Sequence, residues 1–263
     1  MPKTSGIEAE SDLSDRLARK PLGEVNTDPV EPWLRVVAGN VARLVRVLTK
    51  QRWAGSEHIP TRGPAIFAIN HISNFDPLAF GHFLIWSGRY PRFLAKDEIF
   101  ETPLLGTVAR RCGQIRVDRG TDRAREAVTA ATLALSEDKT VSVYPEGTIT
   151  ADPQEWPMRP RAGVARIALA SGAPVIPVGQ WGANHVMPGK KLTVPRLFSR
   201  KTMLVKAGPP VELSDLHGRD DADALTTASR RVISAITDIV AELRGEPAPE
   251  GRWDMRVNRR VMV

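Results

Sequence analysis

The 263-residue chain has a single cysteine, Cys112, so no disulfide can form within it. That scarcity removes the cross-linked secreted scaffolds and suits a reducing compartment. No apolar run approaches the roughly 18 residues that a membrane-crossing helix needs. The N-terminus carries no apolar signal region, so export is not expected. A G-x-S-x-G nucleophile elbow is missing, which removes the serine-hydrolase route to an acyl-enzyme. A Walker A loop and a G-x-G-x-x-G fingerprint are missing too, and with them the common nucleotide cradles. "GANHVMPGKK" contains a GK pair, but its glycines, Gly182 and Gly189, are spaced wrongly for a phosphate loop. No Cys or His cluster suggests a metal. Internal repeats and low-complexity segments are absent.

What is present is ordinary in bulk and uneven in detail. Hydrophobic residues at 42% and charged residues at 25% suit a folded chain with one large core. The net charge is +7. Residues 1–32 hold four basic and seven acidic groups, a net of −3, so the remainder carries +10. A basic body implies an anionic partner, whether nucleic acid, a membrane surface or a phosphorylated substrate. The basic stretches lack a nucleic-acid recognition motif and aromatic interleaving, which argues against nucleic acid.

Residues 1–30 are polar and rich in charge, and read as a mobile tail. Residues 31–53 read as an amphipathic basic helix. On a helical wheel Arg35, Arg43, Arg46 and Lys50 share an arc of about 80°, with Trp33, Val37, Val41, Leu44 and Leu48 on the other side. Such a helix can lie in a membrane interface, or it can pack on a core and leave a solvated basic edge. From residue 54 to 245 strands alternate with helices. Strands are predicted at 65–69, 92–96, 114–117, 141–144, 175–179 and 202–208. Helices are predicted at 77–86, 122–137, 162–172 and 220–244. On the second of these Ala124, Val128, Ala131 and Leu135 form one stripe, and Gly172 stops the third. This alternation predicts an α/β fold, a mostly parallel but mixed central sheet covered by helices. Residues 246–263 read as a basic C-terminal tail.

The chemistry concentrates in three short segments. "NHISNFD" (70–76) follows the buried run Ala65–Ile69 and enters a helix, and α/β folds place ligands at such strand ends. Asp76 or Ser73 could cap that helix, with Pro77 in its first turn. Alternatively Asp76 orients one imidazole nitrogen of His71 and leaves the other to take a proton. In "GQIRVDRG" Arg119 could fork onto a phosphate or pair with Asp118. In "VSVYPEGTIT" a strand meets a Pro-Gly turn, with Glu146 an acceptor, Thr148 a donor and Gly147 open to close approach. An ordinary surface turn fits the same residues. Cys112, between Arg111 and Gly113, reads as a small buried hydrophobe before a nucleophile.

The order N-H-x4-D (70–76), G-x-I-x-x-D-R (113–119), Y-P-E-G-T (144–148) and V-I-P-V (175–178) resembles the glycerolipid acyltransferase family, over roughly residues 53–210. The resemblance implies transfer of a fatty acyl group from a thioester, on coenzyme A or acyl carrier protein, to a lysophospholipid hydroxyl. It implies His71 as general base and Asp76 as its orienting acid. It also implies Arg119 at the acceptor phosphate, Glu146 and Gly147 at the acceptor, and the segment around Pro177 on the acyl side. No metal, cofactor or covalent acyl-enzyme is implied beyond the donor itself. Lys96, or a backbone amide near Gly147, is the candidate oxyanion donor. Ile149 stands where the family's third motif usually has arginine. Arg159 or Arg161, in "MRPRAG", is then expected to supply the cation, and acceptors other than lysophosphatidic acid come into range. The expected setting is the cytoplasmic face of a membrane, peripheral or monotopic.

Overall fold

In a computed structural model the chain is described at residues 20–26, 28, 32–117, 121–189, 195–196 and 200–262. Five strands form one mixed sheet in the order β1-β7-β6-β2-β5. They are β1 (Thr49–Ala54), β2 (Ala65–Ile69), β5 (Thr140–Val143), β6 (Val175–Trp181) and β7 (Lys201–Ala207). Every neighbouring pair is parallel except β6 with β7, so β1 and β7 run against the other three. A parallel ribbon of β3 (Leu94–Lys96) and β4 (Ile115–Val117) touches β5 through a bridge from Phe93 to Ser142.

Helices cover both faces. α1 (Pro32–Leu48) and α2 (Asp76–Trp86) lie on one side, over Phe67, Ile69, Ile176 and Val178. α5 (Thr121–Ser136), α6 (Gly163–Ser171) and α7 (Ala222–Arg244) lie on the other, over Ile66, Ala68 and Val175. Alternate residues of β2 and β6 thus serve opposite cores. β2 is buried at all five positions, as a strand covered on both faces must be. α3 (Asp97–Glu101) and α4 (Pro103–Arg111) connect β3 to β4. α6 ends at Gly172 in the left-handed conformation, as its sequence predicts.

Three boundaries differ from the sequence reading. The basic helix ends at Leu48, and Thr49–Ala54 pair with β7, which takes Lys50 out of the helical arc. The face of α1 turned inward is Leu34, Ala38, Ala42, Val45 and Leu48, while Trp33, Val36, Leu44 and Val47 are exposed. Leu34 and Ala38 meet α2, and contact with the core outweighs the wheel's best polar and apolar division. The N-terminal tail is anchored where it is described. Asn26 donates to Ile85 O (2.9 Å), and the buried Arg89 binds Asp28 (3.0 Å) and the carbonyls of Pro60 and Gly63. The C-terminal tail folds back as a hairpin, β8 (Arg252–Asp254) with β9 (Arg259–Val261). Ala124 of the predicted α5 stripe lies outside the described side chains; Val128, Ala131 and Leu135 pack inward.

Candidate active site

The site forms where β2 and β5 end on the same edge of the sheet. Asn70 leaves β2 and locks it to β6. Its side chain accepts from Gln180 N (2.8 Å) and donates to Gln180 O (3.0 Å), while Gln180 Nε2 donates to Asn70 O (2.9 Å). The next residue is His71. Its backbone N–H donates to Glu146 Oε1 (2.9 Å), and its carbonyl accepts from Thr150 N (2.7 Å). Both halves of the His71 peptide are therefore held by the loop that leaves β5.

The imidazole is held as firmly. His71 Nδ1 lies 2.7 Å from Asp76 Oδ2. The same oxygen accepts the backbone N–H groups of Ile72 (2.6 Å) and Ser73 (2.8 Å). An oxygen already accepting two amides acts as an acceptor toward the ring as well, so Nδ1 carries the proton and Nε2 holds the lone pair. Nε2 has no hydrogen bond to a described residue, and the His71 side chain is 16% exposed. Asp76 is fully buried. Burial pushes its pKa up from the usual carboxylate value, against the hydrogen bonds and the His71 charge that pull it down. The carboxylate reaches back into the 71–73 loop, so it works as orienter and not as the cap of α2. Ser73 accepts from Phe75 N and donates to Met187 O, which shapes the same loop.

Glu146 is 2% exposed, and its second oxygen accepts from Met158 N (2.9 Å). Burial raises its pKa to about 8, despite the two amide donors. Both of its oxygens accept from backbone N–H groups, of His71 and of Met158, so its carboxyl ties the loop after β5 to the His71 segment. Gly147 is exposed at φ +69°, and a Cβ there would stand 2.9 Å from the Arg161 side chain, which lies across it. Its N–H is used in the turn, donating to Tyr144 O (2.9 Å), and is not an oxyanion donor. Thr148 is half-buried beside it, and Ile149 is buried.

The remaining predicted positions divide. Arg159 is paired with Asp254 of the hairpin (2.8 Å), which commits its charge. The exposed Arg161, by contrast, has no acidic partner among the described residues, and its backbone N–H donates to Pro145 O (2.8 Å). Pro177 points to the other face of the sheet, against Gly208 and toward α7, where it lines a cavity of about 760 Å³. It is not brought to His71, because β6 alternates and Ile176 and Val178 take the α2 face. Lys96 ends β3, with its side chain outside the described atoms, and Arg119 lies outside the described residues. Cys112 is buried, and burial raises its thiol pKa, so it is packing and not a nucleophile.

Several supporting residues escaped sequence reasoning. Thr150 Oγ1 donates to Trp156 O (2.8 Å). The Arg244 guanidinium lies between the Trp156 and Trp181 rings, 4.1 and 4.2 Å from their centroids. The buried Asp152 is bound by Arg260 from β9. These contacts fix the loop 149–161, and with it the Met158 amide that holds Glu146. Asp152 and Arg260 stand 108 positions apart, and no local pattern couples them.

An imidazole held by a buried carboxylate, at the carboxyl edge of a mixed α/β sheet and with no serine or cysteine bonded to its free edge among the described residues, is an arrangement that can take a proton from a bound hydroxyl or water. Residues 50–181, half of the chain, match the family model described as Acyltransferase, and the chain belongs to that family. A chloroplastic 1-acyl-sn-glycerol-3-phosphate acyltransferase of Brassica napus is 26% identical over 136 residues, 51% of this chain and 38% of the relative. One from Limnanthes alba is 33% identical over 127 residues, 47% and 42% of the two chains. One from Streptococcus pneumoniae is 25% identical over 138 residues, 52% and 47%. The chain thus spans less than half the length of these relatives. The crystal structure of PlsC, the 1-acyl-sn-glycerophosphate acyltransferase of Thermotoga maritima, shares the fold at a TM-score of 0.63 and 24% identity, covering 82% of this chain and 81% of that one.

Proposed function

We propose that the protein is an O-acyltransferase that moves a fatty acyl group from a thioester to a lysophospholipid hydroxyl, with 1-acyl-glycerol-3-phosphate as acceptor and phosphatidic acid as product. The carrying observation is the His71–Asp76 pair, which leaves Nε2 as the proton acceptor at an accessible edge. Nε2 removes the proton from the acceptor hydroxyl as its oxygen attacks the thioester carbonyl. The tetrahedral intermediate collapses with loss of the thiol, to which His71 returns the proton. A thioester needs no further activation, so alignment and a deprotonated alcohol suffice. Coenzyme A or acyl carrier protein serves as donor. Among the cations implied by the family motifs, Arg161 is favoured for the acceptor phosphate over Arg159, whose charge Asp254 already holds. Arg119 and Lys96 stay proposed contributors, as phosphate ligand and oxyanion donor.

One observation favours a second acceptor class. Ile149 is buried and apolar where the motif has its arginine, so another glycerolipid or glycolipid acceptor fits the same chemistry. The reaction runs at a membrane surface, peripherally or monotopically on the cytoplasmic face, with the exposed Trp33, Val36, Leu44 and Val47 of α1 toward lipid. The alternative of a basic membrane-binding module without activity predicts the same adsorption and no turnover.

The test is thiol release from palmitoyl-coenzyme A in lipid micelles, with lysophosphatidic acid or other lyso-acceptors added in turn. Acceptor-dependent release is expected, lost by at least about 10³-fold in His71→Ala and in Asp76→Asn, the latter through loss of the tautomer. Release that needs no acceptor, or that survives in His71→Ala, rejects the assignment. If palmitoyl-coenzyme A is inert, palmitoyl-acyl carrier protein is the second donor, and inertness with both rejects the enzyme reading.

A further inference from the structure

Tyr144 is the first residue beyond β5, and its ring is stacked on the His71 imidazole, centroids 4.0 Å apart and planes 19° apart. Phe93 lies almost parallel to Tyr144 at 6.1 Å and 7°. Three rings therefore stand in near-parallel array, the imidazole at the accessible end. Asp76 restrains the imidazole at one edge; a stacked ring restrains it across one face. Together they leave the Nε2 edge as the direction in which the base meets a substrate. The Tyr144 hydroxyl is buried near Gln180, and burial, followed by the charge of Asp76, holds its pKa well above the ordinary phenol value. Tyr144 thus stays neutral while an imidazole titrates, and it does not compete as a base.

The stack has an electrostatic consequence. When Nε2 takes the hydroxyl proton, a cation forms over the electron-rich face of a phenol, an arrangement more favourable than the neutral pair. The gain appears as the proton is transferred, so it lowers the barrier and not the substrate's dissociation constant.

We infer that Tyr144 is the positioning residue of the base: its ring holds the His71 imidazole so that Nε2 faces the reacting hydroxyl, and its π face stabilises the imidazolium formed there. The inference rests on His71 acting as the base. The charged and titratable groups facing His71 among the described residues are Asp76 from α2, with Glu146 and Tyr144 itself from the loop after β5.

The experiment compares Tyr144→Leu, which keeps apolar volume without a ring, with Tyr144→Phe, which keeps the ring without the hydroxyl. In Tyr144→Leu kcat is expected to fall about tenfold with KM for both substrates unchanged. The acid limb of kcat/KM against pH is expected to move about half a unit downward, because the imidazolium loses its support. Tyr144→Phe restores most of both. NMR titration of the His71 Cε1–H in the same variants reads the stack without turnover, and the same downward shift is expected in Tyr144→Leu. A folded Tyr144→Leu with wild-type kcat and an unmoved His71 titration overturns the inference. So does a Tyr144→Phe as impaired as Tyr144→Leu, which would assign the effect to the hydroxyl. A chain with no acyl transfer in any form, but with the NMR shift present, rejects the enzymatic reading and leaves the stack standing.

Discussion

Glu146 holds its proton where an ordinary glutamate would lose it, and the consequence is a stability that depends on pH in one direction. Its folded pKa, about 8, lies above the unfolded value of 4.5. Between these limits the folded chain binds a proton that the unfolded chain has released, so the stabilisation is complete below 4.5 and fades as pH rises toward 8. His82 works the other way. It is buried between Trp53 and Trp86, and burial, then Arg46, lowers it from 6.5 to about 3, so it costs stability as pH falls below 6.5. Between 6.5 and 8 the Glu146 contribution falls with rising pH while the His82 contribution has largely levelled off. Thermal unfolding is expected to show falling Tm across that window in the wild type and a shallower fall in Glu146→Gln, with the variant about 1–3 kcal/mol less stable at pH 6.5 because the amide oxygen accepts from one backbone donor while its NH2, a donor itself, faces the other. An equal slope in the two proteins would refute the assignment. At this scale the sequence was partly legible. His71 and Asp76 stand five apart, so a short motif could suggest their bond. The bond from His71 N to Glu146 crosses 75 positions, and nothing in either segment announces it. The family pattern put Glu146 at the acceptor; the structure adds its bond to the His71 backbone.

Apolar runs for the strands and periodic stripes for the helices located most of the sheet and its cover to within a few residues. It failed where the partner was distant or the element short. Thr49–Ala54 continues the basic composition of the helix before it, yet Thr49, Gln51 and Trp53 are buried, and the partner strand begins at Lys201. The hairpin strands β8 and β9 hold three residues each, too few for a period. That hairpin braces the loop after β5 through Arg159–Asp254 and Arg260–Asp152. Arg260→Ala leaves the fully buried Asp152 carboxylate without its guanidinium. The expected cost is about 2–3 kcal/mol, less than for a wholly enclosed pair because water reaches the arginine. Chemical denaturation measures it, and a change under 0.5 kcal/mol would show that the hairpin is not a brace.

Across the whole molecule the charge is polarised, with +10 beyond residue 32 against −3 before it. No helix among the described residues is long and apolar enough to cross a membrane. The proposed surface is instead the outer face of α1, where exposed apolar residues alternate with Arg35 and Arg43. Sedimentation with phosphatidylglycerol vesicles is expected to carry the protein down at low salt and release it progressively as ionic strength rises, since exposed charges are screened within a Debye length. Val36→Asp with Val47→Asp is expected to weaken binding at least tenfold while Tm holds. Unchanged binding would move the lipid surface elsewhere.

The pairing of β1 with β7 joins residues 49–54 to 201–206. Closing a loop of that length is slow relative to local helix formation. During synthesis, at about 5–20 residues per second, β1 leaves the ribosome on the order of 10 seconds before its partner exists. Throughout that interval the edge of β1 has no β7 to pair with, whereas α1 already has α2 to pack against. The order of the strands thus makes β1 wait, for its only hydrogen-bonded neighbour in the sheet, until residues 201–206 have been made.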